Sequence, residues 1–170
     1  MISRFNKVKD ANDYARSLKD KHFSSKIMNI KHLIALGFDE EAFKELNKIT
    51  EMRNITMLQH LKVADCYYKI GKYEEGLTIL SPMEENISGM NPADTNDKLY
   101  LLNLLGLVYK GLQKEELAVK KWKICLELNS RYTIALNNLG NHLMHGRLYE
   151  DAAKCFWRSK KCKIFIIRFR

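Results

Sequence analysis

The residues of this chain that could do chemistry are few and scattered. His142, His145, Cys155 and Cys162 come nearest to a cluster, with two residues between the histidines and six between the cysteines. Those spacings match no common zinc pattern, and Cys155 precedes the apolar Phe156, where a cysteine serves as a small core residue. No glycine-rich phosphate loop follows a strand pattern, and neither a nucleophile elbow nor a His-Glu-x-x-His pair is present in the sequence. The acidic pairs Glu40-Glu41, Glu74-Glu75 and Glu115-Glu116 fall where helices are expected to begin, and there a carboxylate complements the helix dipole. No enzyme activity, cofactor or metal is therefore expected. The chemistry left is recognition: the amides of Asn137, Asn138 and Asn141 can donate and accept at once and so hold a peptide backbone without reading its sequence.

The elements that must position such residues are visible as an internal repeat. Ala42, Gly76, Ala118 and Ala152 recur at separations of 34, 42 and 34 residues, each followed four positions later by a large apolar residue, Leu46, Leu80, Trp122 or Phe156. Twelve positions upstream of the last three lie Ala64, Gly106 and Gly140, whereas the first unit carries Ile30 there. Apolar residues at three- and four-residue spacing around these anchors predict two amphipathic helices per unit. The small residues mark where the two backbones cross, and the large ones fill the groove beside the crossing.

Gly37, Gly71 and Gly146 are expected to take the left-handed conformation that ends a first helix, with Gly111 slightly early in the third unit. Residues 81–97 hold both prolines and a polar Asp94-Thr95-Asn96-Asp97 cluster, and are expected to form an inserted loop ending in a helix start.

Leu136-Asn137-Asn138-Leu139-Gly140 with Tyr149-Glu150-Asp151-Ala152-Ala153-Lys154-Cys155-Phe156, and the stretch from Cys66 through Gly71-Lys72-Tyr73 to Gly76, resemble the tetratricopeptide repeat (TPR) family. The resemblance covers residues 24–160, about four fifths of the chain. It implies an all-α fold, a TPR-type α-solenoid of antiparallel helix hairpins forming a segment of right-handed superhelix. The expected organisation is an N-terminal helix or cap over 1–22, units over about 24–56, 57–98, 99–132 and 133–160, and an irregular basic-apolar tail over 161–170.

In such arrays the first helices line a concave wall that holds a partner segment. By phase the resemblance puts Lys62, Asp65, Tyr68, Asn103, Lys110, Asn137, Asn138 and Asn141 on that wall. The family's dicarboxylate clamp for chaperone tails needs a Lys followed one turn later by an Asn on a first helix. The pairs here, Ile27 with Lys31, Leu61 with Asp65, Asn103 with Leu107 and Asn137 with Asn141, do not supply it. Substituting Asn138 by Ala is expected to leave stability nearly intact, and Gly140→Leu to overfill a crossing.

Charge narrows the partner. The net charge is +9, but residues 1–26 carry +4 and residues 158–170 carry +6, so the body of the chain sums to −1. A phosphate-tracking surface needs its basic residues gathered along one face, which speaks against nucleic acid. The expected partner is a protein or peptide, with lysines such as Lys62 and Lys110 favouring an acidic segment. Homodimerisation through the N-terminal helices is a further expectation, and an RNA-binding helical repeat is the alternative function. TPR subunits of stable assemblies, such as the anaphase-promoting ubiquitin ligase, set the pattern for the leading reading, a scaffold or adaptor subunit. No apolar run reaches membrane-span length and no secretory leader is apparent, so an intracellular protein, cytoplasmic or nuclear, is expected.

Overall fold

A computed structural model describes the backbone of residues 2–52, 55–89 and 94–168, with side chains between Ser17 and Lys161 apart from Leu18 and Ser88. The order is α1 (Ile2–Ala35), α2 (Asp39–Thr50), α3 (Met57–Lys69), α4 (Tyr73–Glu85), α5 (Thr95–Gly111), α6 (Glu115–Leu128), α7 (Thr133–His145) and α8 (Tyr149–Arg168), with a 3-10 turn at Ile87–Gly89. No strand occurs among the described residues. The helices pair as hairpins α1–α2, α3–α4, α5–α6 and α7–α8, and the first helices α1, α3 and α5 also pack side by side.

The core shows why hairpins of this kind stack. Phe23, Ile27, Ile30, Leu46, Ile49, Val63 and Tyr67 knit α1 and α2 to α3. Leu61, Ala64, Leu80, Leu101, Leu105 and Val108 knit α3 and α4 to α5. Leu99, Leu102, Ala118, Trp122, Cys125 and Ala135 knit α5 and α6 to α7. Each cluster takes one hairpin plus the first helix of the next, so each of the first three hairpins leaves apolar surface that its neighbour covers. Midway along the row, α5 is buried on nearly every side from Leu99 to Gly106. Its run Leu-Tyr-Leu-Leu-Asn-Leu-Leu-Gly-Leu-Val, apolar all round rather than on one stripe, is what such a position requires.

Three sequence expectations change. The N-terminal cap and the first helix of the first unit are one continuous helix, α1, rather than two elements. The segment over 81–97 is mostly helical: α4 runs through Pro82 to Glu85, and α5 starts one turn earlier than the phase of α3 and α7 would place it. The buried stripe explains this, because Leu77, Leu80, Met83 and Ile87 continue at helical spacing past the proline and pack on the second core. Pro82 costs the helix the bond to the Thr78 carbonyl, yet it sits in the last turn, where that loss is least disruptive. The tail expected to be irregular continues α8 as helix through Arg168, and the last two residues lie outside the described residues.

Local signals set the helix ends. Thr56 and Gln59 form a reciprocal capping box at the start of α3, with Thr56 N–H donating to Gln59 Oε1 at 2.9 Å and Gln59 N–H to Thr56 Oγ1 at 3.3 Å. Each second helix opens on carboxylates: Asp39, Glu40 and Glu41; Glu74 and Glu75; Glu115 and Glu116; Glu150 and Asp151. A part-buried ion pair between Glu84 and Lys121 ties α4 to α6 across the insertion.

Candidate functional site

The first helices are aimed by the hairpin turns, and all four turns are alike. In each, one residue with positive φ follows the first helix: Gly37 (80°), Gly71 (73°), Gln113 (60°) and Arg147 (61°). Its N–H donates three residues back, and the next N–H donates five back, as in Phe38 to Leu33 (2.9 Å), Lys72 to Tyr67 (3.0 Å), Lys114 to Tyr109 (2.9 Å) and Leu148 to Leu143 (2.9 Å). This is the Schellman arrangement, which satisfies carbonyls at the helix end. The left-handed residue lies five positions before Ala42, Gly76, Ala118 and Ala152 respectively, so turn and crossing keep one register. Gly146, expected to be left-handed, has φ −77°, and Arg147 takes that role. Gly111 is no turn residue either. A Cβ there would lie 2.5 Å from the Tyr73 ring, so its bareness lets Tyr73 pack onto the end of α5.

A cleft of about 340 Å³ opens over the first helices. Four of the residues expected on the wall line it together: Tyr68 from α3, Lys110 from α5, and Asn138 and Asn141 from α7. Tyr73, Leu107, Gly111 and Trp122 complete its walls. The Tyr68 and Tyr73 rings lie 5.9 Å apart in a tilted pair.

The other four expected residues have different surroundings. Asn103 is buried at 5% exposure, and its Oδ1 accepts from Asn138 Nδ2 at 2.7 Å, bridging α5 and α7. That amide pair ties α5 to α7, with Asn138 in the cleft wall and Asn103 buried behind it. It also reverses the expectation for Asn138→Ala, which would strand a buried acceptor. Asp65 accepts from Lys69 at 2.7 Å on its own helix, so its charge is already answered. Lys62 and Asn137 are half-buried and stand outside the cleft lining.

By phase Trp122 is expected only to fill a crossing, and Tyr73 enters only through the stretch that resembles the family, so neither is expected in the cleft lining. The available signal was Trp122 itself, a residue with a polar edge at the phase where the other units carry Leu46, Leu80 and Phe156. Trp122 is fully buried, and its Nε1 has no hydrogen-bond partner among the described residues.

The buried titratable groups are set against nucleophilic chemistry. Burial pushes the Cys66 thiol up to about 11 and the Cys125 thiol to about 12, so both are protonated and inert near neutrality. Cys125 donates weakly to the Leu99 carbonyl at 3.7 Å. Burial likewise raises Tyr100 and Tyr132, the latter to about 12. A second depression, about 520 Å³, lies between α2, α3 and α4 with Ile55, Met57, Val63, Ile79 and Pro82 in its lining. Its Thr50, Thr78 and Asn86 side chains already bond to carbonyls of their own helices or turn, at 2.8–2.9 Å. Among the described residues no helix is long and apolar enough to cross a membrane.

No protein-family model and no curated protein matches the sequence. Solved structures do. MamA 41-end from Desulfovibrio magneticus RS-1 is 20% identical over 81% of this chain and 73% of that one, with a TM-score of 0.59. A crystal structure of MamA is 15% identical over 91% and 87%, with a TM-score of 0.57. The C-terminal part of a TPR repeat-containing protein from Cytophaga hutchinsonii is 16% identical over 78% and 50%, with a TM-score of 0.53. With the stacked cores and the repeated turn, these likenesses identify the fold of this chain as a TPR-type α-solenoid.

Proposed function

We propose that the chain is a protein-interaction module, a scaffold or adaptor subunit that holds an extended segment of a partner protein against α3, α5 and α7. The observation that carries this is the convergence of Tyr68, Lys110, Asn138 and Asn141, from three first helices, on one cleft. Asn141 is exposed, and neither Lys110 nor Asn141 has a hydrogen-bond or ion-pair partner among the described residues, so both are available to a ligand. The cleft is too small for a folded domain but admits side chains of a strand or helix laid across it. Burial holds the Cys66 and Cys125 thiols protonated, which sets these two residues against a nucleophilic role and leaves them to packing.

The test is affinity capture from native extract with the full chain and with a Lys110→Ala/Asn141→Ala variant, under nuclease treatment. Proteins retained by the wild type after nuclease and lost by the variant are the expected result. Retention by both would move the interface away from the cleft, and recovery that needs intact nucleic acid would favour RNA binding instead.

A further inference from the structure

We infer that the outer face of the α7–α8 hairpin, the stripe Tyr149, Ala153 and Trp157, is a docking surface for an amphipathic helix of a partner protein whose first turn is acidic. The surface is separate from the cleft and shares none of its residues. In the three earlier hairpins the second helix meets the following first helix at fixed phases, counted from the anchors Ala42, Gly76 and Ala118. Three positions before the anchor, the Tyr73 ring packs on Gly111 at the end of α5, and Glu115 lies 3.7 Å from His142 in the last turn of α7. One position after it, the Phe43 ring meets Tyr67 of α3 edge-on at 6.1 Å. Five after it, Asn47 Oδ1 accepts from the Tyr67 hydroxyl at 2.8 Å.

Counted from Ala152, the same phases in the last hairpin are Tyr149, Ala153 and Trp157, one turn apart on one face of α8. Phe43, Leu77 and Val119, each one after its anchor, are half-buried, whereas Ala153 is exposed. Tyr149 and Trp157 are 62% and 63% exposed. No first helix follows α8 among the described residues, so the surface that each earlier hairpin covers stands open here, with two aromatic rings on it.

The earlier contacts also give the direction of the occupant. The start of α4 meets the end of α5 and the start of α6 the end of α7, so a helix in this place runs antiparallel to α8, with its first turn over Trp157. Charge gives its chemistry. From Ala152 to Lys161, α8 carries Lys154, Arg158, Lys160 and Lys161 and no carboxylate, its acids Glu150 and Asp151 being confined to the first turn. Asp151 answers Lys154 at 2.8 Å. Arg158 donates to the Ser130 carbonyl at 3.2 Å and Lys161 Nζ lies 4.9 Å over the Trp157 ring, and neither has a carboxylate partner among the described residues. An acidic first turn over Trp157 meets these cations and complements its own helix dipole. A second copy docked face to face would set the same cations against each other.

The experiment uses the full chain with ¹⁵N-labelled tryptophan, which gives two indole signals, from Trp122 and Trp157. The Trp157 signal is assigned by its loss in Trp157→Ser, an exposed change whose folding a thermal melt checks. The probes are three capped peptides of about 18 residues, long enough to form a helix. The first has Leu and Ala at three- and four-residue spacing, Glu in its first turn and Gln elsewhere. The second has Lys for each Glu, and the third scrambles the first so that no apolar stripe forms. A saturable shift of the Trp157 signal with the first peptide alone is expected. Trp157→Ser, and Ala153→Glu within the stripe, should each weaken that binding roughly tenfold or more by calorimetry, as for a central aromatic contact. Lys160→Glu/Lys161→Glu should turn the preference toward the lysine peptide.

A Trp157 signal unmoved at millimolar acidic peptide, an equal shift with the lysine or scrambled peptide, or unchanged affinity in Ala153→Glu would overturn the inference. So would a Trp157 shift on raising protein concentration alone, with a doubled mass in sedimentation, which would give the face to a second copy. Lys110→Ala/Asn141→Ala should bind the acidic peptide as the wild type does. Loss of binding there would move the peptide into the cleft, and the end face would fall while the cleft stood.

Discussion

The first and third hairpins meet the same repeat with opposite packings. In the first, bulk sits on the first helix: Ile30 occupies the position that is Ala64, Gly106 and Gly140 elsewhere, and it is 1% exposed against a second helix carrying Ala42 and Leu46. In the third, the first helix is bare at Gly106 and Trp122 on the second helix fills the space. A repeat thus conserves the filled volume at a crossing, not which helix fills it. The choice also changes polarity, because the third hairpin's solution packs the Trp122 indole nitrogen against Gly106, with no hydrogen-bond partner among the described residues.

The largest effect that would break this comparison is Trp122→Ala. It should cost about 3–5 kcal/mol, as for other buried aromatics emptied to alanine, measured as a loss in urea midpoint. Next comes the glycine beneath it. Gly106→Ala should cost roughly 1–3 kcal/mol by overpacking, whereas Gly76→Ala, whose nearest new contact would be 3.6 Å, should be neutral or gain up to about 1 kcal/mol from helix propensity. A Gly106→Ala/Trp122→Leu double variant rebuilds the Ala64–Leu80 pair of the second hairpin. It should be more stable than the sum of its single changes by about 1 kcal/mol, and simple additivity would refute the complementary-volume account.

Asn138→Ala should cost about 1–3 kcal/mol because it strands the buried Asn103 acceptor, while Asn141→Ala should stay within about 0.5 kcal/mol on chemical denaturation. Equal effects would mean that the amide bridge between α5 and α7 contributes nothing. The smallest expected change separates the glycine turns from the others. Gly71→Gln should lose about 1 kcal/mol, and Gln113→Gly should gain up to about 1 kcal/mol less the entropy that glycine adds to the unfolded chain, read as opposite shifts in thermal midpoint.

Much of this architecture was legible in advance for a simple reason: crossings need small residues at fixed spacing, and spacing is visible in one dimension. The series through Ala42, Gly76, Ala118 and Ala152 gave the phase of every hairpin. The turns were legible only where glycine occupied the left-handed site. At Gln113 and Arg147 the hydrogen bonds of the turn impose the conformation on residues that do not favour it, so a search for glycine lands one residue early at Gly146 and two early at Gly111. The cleft was half legible: Tyr68, Lys110, Asn138 and Asn141 came from phase, but phase cannot tell a wall that faces a partner from one that faces the next helix.

The sequence by itself therefore determined the helical periods and the repeat register, since both depend on residue type and separation alone. Tertiary structure decided which polar groups are spent and which are free. Asn103 and Asn138 consume each other, while Lys110, Asn141 and the Trp122 indole N–H are left uncommitted. Whether a donor has a partner depends on residues thirty or more positions away brought within about 3 Å, and that distance exists only once the hairpins have stacked.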